Sequence, residues 1–202
     1  MNKSENMFFR ILDIFAHFVL LNALWIICCL PIITIFPATT ALYMVVKRWI
    51  TESTDAGVVR LFFTSFKESF KKSFVIGLFW LLAGAILYFD LTILLQVEFT
   101  GSFFILILLI FTAILYIFVS IYTFFMLVQY ELSISSILKN ALLLSVSHLH
   151  YTLLFLVIII GTLLMTYYIK IFLLIFGSVL AFILYHVFQK LDHTKKLKGM
   201  SE

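Results

Sequence analysis

Apolar residues run through this chain in long blocks, and the polar positions between them fall at a few boundaries. Residues 11–30 form the first block, twenty residues or ~30 Å as a helix, enough to cross a bilayer. Pro31 closes it by removing a backbone donor and crowding the preceding turn. A six-residue step leads to Pro37, placed where a first-turn proline costs no helical hydrogen bond. The helix predicted over 38–50 is only ~20 Å long, and Lys47, Arg48 and Trp49 at its end carry it to the headgroups by snorkelling. Further spans are predicted at 73–95, 103–128, 148–168 and 171–188, followed by a charged, frayed tail from Gln189.

Between these blocks lies a segment of different period. Over 58–72, Val59, Phe62, Phe63, Phe66 and Phe70 recur at helical spacing on one side, with Arg60, Thr64, Lys67, Glu68 and Lys71 on the other. Phenylalanines opposite cations describe a helix lying at an anionic membrane surface, with a partner-docking helix as the alternative. The expected class is therefore an all-α polytopic membrane bundle of about six helices, five long spans and one short proline-started one, plus this cytoplasmic amphipathic helix. The layout is a proline-broken hairpin over 1–50, the amphipathic helix over 58–72, a second hairpin over 73–128, a third over 133–188 and a cytoplasmic tail over 189–202. A weak repeat, SFKESF at 65–70 against ILKNAL at 137–142, fits three related hairpins.

Composition narrows the class further. Of 202 residues, 64% are hydrophobic and 12% charged, about half the charge a soluble domain carries. The net charge of +4 is gathered at a few boundaries, which is the signature of membrane topology and not of a nucleic-acid groove. With residues 11–50 folded as a hairpin, thirteen of the fourteen cations lie on one side and Lys170 on the other. A single crossing by 11–37 makes the division eleven to three, so the hairpin, with both termini cytoplasmic in a cell membrane, is expected. The first apolar run is too long for a cleaved signal peptide. The step framed by Pro31 and Pro37 is then expected at the outer surface, with Asn22 and Thr34 donating hydrogen bonds to carbonyls the prolines set free.

Few residues carry candidate chemistry. Asp13 and His17 share a helix face but lie in the first turns of the first block, where a hydrated carboxylate is cheap. Asp90 is likewise placed near an interface. Asn22 is deeper, and interhelical hydrogen bonding accounts for it better than substrate contact. His148 and His150 stand ~200° apart on an ideal helix, unsuited to a shared metal. Gly177 and Ala181 make a small-xxx-small pair, while adjacent Cys28 and Cys29 behave as small hydrophobes. Phosphate-binding loops, H-E-x-x-H and G-x-S-x-G are missing from the sequence, so no enzyme, cofactor or metal is expected.

One pattern does resemble a known family. Asn22-Ala-Leu-Trp25, Leu30-Pro31, Thr34, Pro37-Ala38-Thr39 and Ala41-Leu42-Tyr43 resemble the YesL-like (DUF624) bacterial integral membrane proteins. The run 62–72, with Phe66, Lys67 and Phe70, is similar to that family's Phe-Lys segment, and 138–156 to the start of its fourth span. Phe36 departs from the pattern, standing where Gly is expected before the proline. The resemblance implies a multi-spanning protein whose relatives often accompany oligosaccharide uptake systems, hence an accessory or scaffold partner of a sugar ABC importer or another membrane complex. A small transporter or channel is the alternative, and a membrane-embedded enzyme a third.

Overall fold

A computed structural model describes residues 3–52, 57–96 and 101–199, with side chains over 9–51, 57–96 and 101–191. The chain forms α1 (Lys3–Cys29), a 3-10 turn (Ile32–Thr34), α2 (Ile35–Glu52), α3 (Val58–Leu94), α4 (Ser102–Gln129), α5 (Ile134–Ser147), α6 (Leu149–Tyr168), a second 3-10 turn (Lys170–Leu174) and α7 (Phe176–Gly199). Four segments are long and apolar enough to cross a membrane: Phe9–Cys29, Val58–Leu94, Ser102–Gln129 and Leu149–Tyr168. Two shorter apolar helices, Ile134–Ser147 and Phe176–Leu191, accompany them. The protein is a multi-pass membrane helical bundle. The last expected span, 171–188, is cut by the second 3-10 turn, so its α-helix begins only at Phe176. The tail continues helical to Gly199. Much of the polar loop over 51–57, and Glu98 between α3 and α4, lie outside the described residues.

The short helix α2 is the centre of the bundle. Four consecutive residues, Thr40, Ala41, Leu42 and Tyr43, are buried, which a helix covered on one face alone cannot achieve. Its neighbours are α1, α3, α4 and α7. Small residues from Ala38 to Ala41 let those neighbours approach closely. This burial resolves the difficulty of its length: a helix sheathed by others does not have to match the hydrocarbon thickness itself.

Ring and hydrogen-bond contacts give the directions. Trp25 meets Thr39 while Phe18 meets Trp49, so α1 and α2 are antiparallel. Arg48 meets Glu68 while Phe36 meets Trp80, so α2 and α3 are antiparallel too. On α4, Tyr116 bonds the Trp80 carbonyl and Val128 bonds Lys47. Ile32 and Ile33, in the step, thus lie beside Leu81 and Tyr116. Beyond that level α3 still has thirteen residues to Leu94 and α4 fourteen back to Ser102, or ~20 Å of helix each. The α1–α2 hairpin thus turns back part-way along the bundle, ~20 Å of helix short of the α3–α4 connection.

At the end where α2, α4 and α7 finish, the core is aromatic. Phe125 stacks on Phe188 at 4.4 Å and packs against Phe155 at 5.3 Å. Tyr122 and Tyr185 are fully buried beside them, their hydroxyls meeting Thr152 (3.1 Å) and Gln129 (2.7 Å). Burial of aromatic rings with their polar tips satisfied is what holds this end together.

Candidate functional site

The motif residues of the first hairpin form a set of interhelical clasps. Trp25 Nε1 donates to Thr39 Oγ1 at 3.1 Å, tying α1 to α2. Pro31 has no N–H to give, and Thr34 Oγ1 lies 2.7 Å from both the Cys28 carbonyl oxygen and the Pro31 one, which also accepts the Thr34 N–H at 2.9 Å. Thr34 therefore performs the expected role, because in lipid no water can. Pro37 is the third residue of α2, inside the first turn where its missing N–H is harmless. Tyr43 is buried among Phe124 (5.9 Å) and Phe125 (5.6 Å).

Asn22 acts elsewhere than expected. Its Nδ2 donates to the Leu173 carbonyl at 3.0 Å, and its Oδ1 accepts from the Gly177 N–H at 2.9 Å. Leu173 lies in the 3-10 turn and Gly177 in the first turn of α7, so one carboxamide serves both an acceptor and a donor at that second break. The expectation that Asn22 serves the Pro31–Pro37 step is corrected: backbone groups at the α7 start are nearer its reach. Ser178 Oγ adds a bond to the Phe18 carbonyl at 2.9 Å.

Two glycines that the sequence marks weakly or not at all are required by these approaches. A Cβ on Gly177 would sit 2.6 Å from Trp25 Cζ3 and 2.8 Å from Asn22 Oδ1. A Cβ on Gly77 would sit 2.6 Å from the Cβ of Phe36. The bulk of Phe36, unexpected before Pro37, is accommodated by the absence of a side chain on α3 rather than within the turn itself.

The amphipathic start of α3 is split differently from its pattern. Leu61, Phe62 and Ser65 are buried on the bundle side, while Val59 (44% exposed), Phe63 (43%) and Phe70 (36%) face outward beside exposed Arg60, Lys67 and Lys71. The reason is that the bundle buries the face that carries Phe62, dividing the phenylalanine row. Phe62, Phe66, Phe70 and Phe74 still form a ladder, with centroids 6.2, 5.3 and 5.7 Å apart. Across the top, Arg48 Nη2 lies 3.2 Å from Glu68 Oε2. Lys47 Nζ donates to the Val128 carbonyl at 2.8 Å, placing a cation on the negative end of α4. Sequence reading took Lys47 for a snorkelling charge alone.

The remaining candidates hold no site. Asp13 and His17 are 3.8 Å apart with both side chains substantially exposed, and Asp90 and His186 are exposed. The chain bends at His148 (φ −119°, ψ 50°), so the ideal-helix angle between His148 and His150 does not apply, and their rings stand 6.0 Å apart. Among the described residues no three His, Cys, Asp or Glu gather as metal ligands. The polar groups of the clasps end on backbone atoms or on each other, an arrangement that fixes helices against one another.

Comparison with known proteins places the chain among others of similar sequence. A family model described as "Protein of unknown function, DUF624" matches residues 18–91, the stretch that carries the α1–α2 clasps and most of α3. The chain is 31% identical over 186 residues to "Uncharacterized protein YesL" of Bacillus subtilis (strain 168), covering 87% of each chain. It is 31% identical over 147 residues to "Uncharacterized protein YteU" of the same organism, covering 71% of this chain and 66% of that one. No solved structure matches. With its motif residues interlocked in one hairpin and its similarity running nearly end to end, the chain belongs to the YesL-like, DUF624 family of membrane proteins.

Proposed function

We propose that this chain is an accessory or scaffold protein, associated with carbohydrate uptake, that presents the outer edge of α3 to a membrane partner at the cytoplasmic side. The observation that carries this reading is the build of α3. It is one 37-residue helix, ~55 Å long and well beyond a ~30 Å hydrocarbon core. Its first turns are anchored in the bundle by buried Leu61, Phe62 and Ser65, which holds Phe63, Lys67, Phe70 and Lys71 in a rigid outward row. Rings and cations fixed on one ridge suit an acidic groove with apolar pockets, such as the cytoplasmic flank of a sugar importer. The aromatic filling around Phe125 supports a scaffold over a channel, since the space between α4, α6 and α7 is taken by packed rings.

A photo-crosslinking residue placed at Phe63 in intact cells, followed by purification in mild detergent, tests this. The expected product is an adduct with a membrane subunit of a sugar importer, reduced about tenfold by Lys67→Glu with Lys71→Glu, in line with charge complementarity at the contact. Crosslinks to lipid alone refute the scaffold reading.

A further inference from the structure

Where α2 ends, α3 leaves its amphipathic turns and α4 finishes, the three helices enclose a polar cleft of about 440 Å³. Its charged lining comes from Lys47, Glu68, Lys72 and Glu131, with Met44 and Leu127 as apolar wall. Two of the four charges are already engaged: Lys47 on the Val128 carbonyl and Glu68 on Arg48. Lys72, half-buried on α3, and Glu131, just past the end of α4, line the cleft from different walls with no ion pair between them. Lys72 is also the last cation before the apolar run that begins at Ser73, the depth at which the phosphates of a leaflet lie.

A simple anion in this cleft would face two carboxylates, and a simple cation two ammonium groups. We propose that the cleft binds an amine-bearing phosphate ester, its phosphate on Lys72 and its ammonium on Glu131. A ligand carrying both charges bridges the two walls and satisfies each with a charge-assisted hydrogen bond. The amine is primary, because a quaternary ammonium has no N–H to give the Glu131 carboxylate. Ser69, whose hydroxyl donates to the Ser65 carbonyl, also lines the cleft. This inference goes beyond the scaffold reading and uses the inner flank of α3, not the ridge of Lys67 and Lys71.

The test uses the full chain, purified free of lipid in a neutral detergent. Thermal unfolding is followed with lysophosphatidylethanolamine, lysophosphatidylcholine, lysophosphatidylglycerol or soluble phosphoethanolamine added. The ethanolamine lysolipid is expected to raise the unfolding temperature with a preference of about tenfold over the other two lysolipids, the factor that one such charged contact is worth. Lys72→Gln and Glu131→Gln should each abolish the preference, and Lys72→Arg should keep it. A response to soluble phosphoethanolamine as well assigns the site to the free ester; a response to the lysolipid alone assigns it to a membrane lipid. Native mass spectrometry of the unaltered protein with the same lysolipids in competition repeats the test without any substitution. Equal responses to all three lysolipids, no response to either ethanolamine compound, or a preference that survives both Gln variants overturns the proposal.

Discussion

Replacing Gly177 by Ala adds one carbon where α7 closely approaches α1. The new Cβ would lie 2.6 and 2.7 Å from Trp25 Cζ3 and Cε3 and 2.8 Å from Asn22 Oδ1, against an ordinary contact of ~3.5–4 Å. Neither neighbour can retreat cheaply. The indole is held by its bond to Thr39, and the carboxamide is held at both ends by Leu173 and Gly177. The start of α7 must therefore move by ~1 Å, an overpacking cost of ~1–3 kcal/mol. Loosening the two Asn22 hydrogen bonds adds ~0.6 kcal/mol each, the average for interhelical bonds in a membrane. The better helix propensity of Ala returns ~1 kcal/mol. The net expectation is a loss of ~1–3 kcal/mol, or roughly 3–10 °C in unfolding temperature for a chain of this length.

Circular dichroism of the purified protein in detergent reads that shift directly, and steric trapping in bicelles reads the free energy. A double-mutant cycle isolates the cause. Trp25→Leu removes the ring that the added methyl strikes, so Gly177→Ala should cost less in that background than in the native one, a coupling of ~1 kcal/mol or more. If Gly177→Ala is as stable as the native protein, or equally harmful with and without the Trp25 ring, then close approach at the α7 start is not what Gly177 provides.

Further outcomes follow from the same geometry. Gly77→Ala should destabilise by ~1–3 kcal/mol through its 2.6 Å approach to the Phe36 Cβ, measured by the same unfolding assay, and Phe36→Ala should relieve much of that cost. With Cys28 and Cys29 changed to Ala, a cysteine at Ser102 should react with a membrane-impermeant thiol reagent on intact cells while one at Thr34 stays unlabelled even after permeabilisation; rapid labelling at Thr34 would return the step to a membrane surface.

Much of this fold was legible because lipid makes backbone rules strict. The apolar blocks, the break at Pro31 and the role of Thr34 all follow from the demand that every carbonyl in hydrocarbon find a donor nearby. Thr34 and its acceptors lie six and three residues apart, within reach of local reasoning. Asn22 and Gly177 lie 155 residues apart, and nothing local distinguishes the carbonyl of Leu173 from that of Pro31 as a partner. The length of α2 read as a defect because its burial is tertiary: only the four surrounding helices reveal that it need not face lipid. The same holds for Phe62, which periodicity grouped with Phe63 and Phe70 although the bundle buries it. Lys72 and Glu131 could not be assigned to one cleft from the sequence, since they line it from different helices where α3 passes the end of α4.

The weak repeat between 65–70 and 137–142 acquires a physical meaning that the string comparison lacked. Along α3, Ser65 and Ser73 are fully buried with Ser69 between them; along α5, Ile137, Ala141 and Ser145 are fully buried at the matching positions. Each row, spaced at four residues, packs against the preceding helix: α3 on α2 and α5 on α4. Lys67 and Lys139 occupy corresponding exposed positions. Past that register the two copies part. The copy in α3 continues straight into a span to Leu94, whereas α5 stops at Ser147, and Thr152 Oγ1 reaches back across the bend to the Ser145 carbonyl at 2.9 Å. The first hairpin, turning back ~20 Å short of the α3–α4 end, matches neither. What recurs in this chain is therefore a docking register between a helix and the amphipathic segment that follows it, not a hairpin of fixed length. The buried positions match in both rows while the helices after them differ in length: close packing constrains the contact, and lipid accepts any apolar helix beyond it.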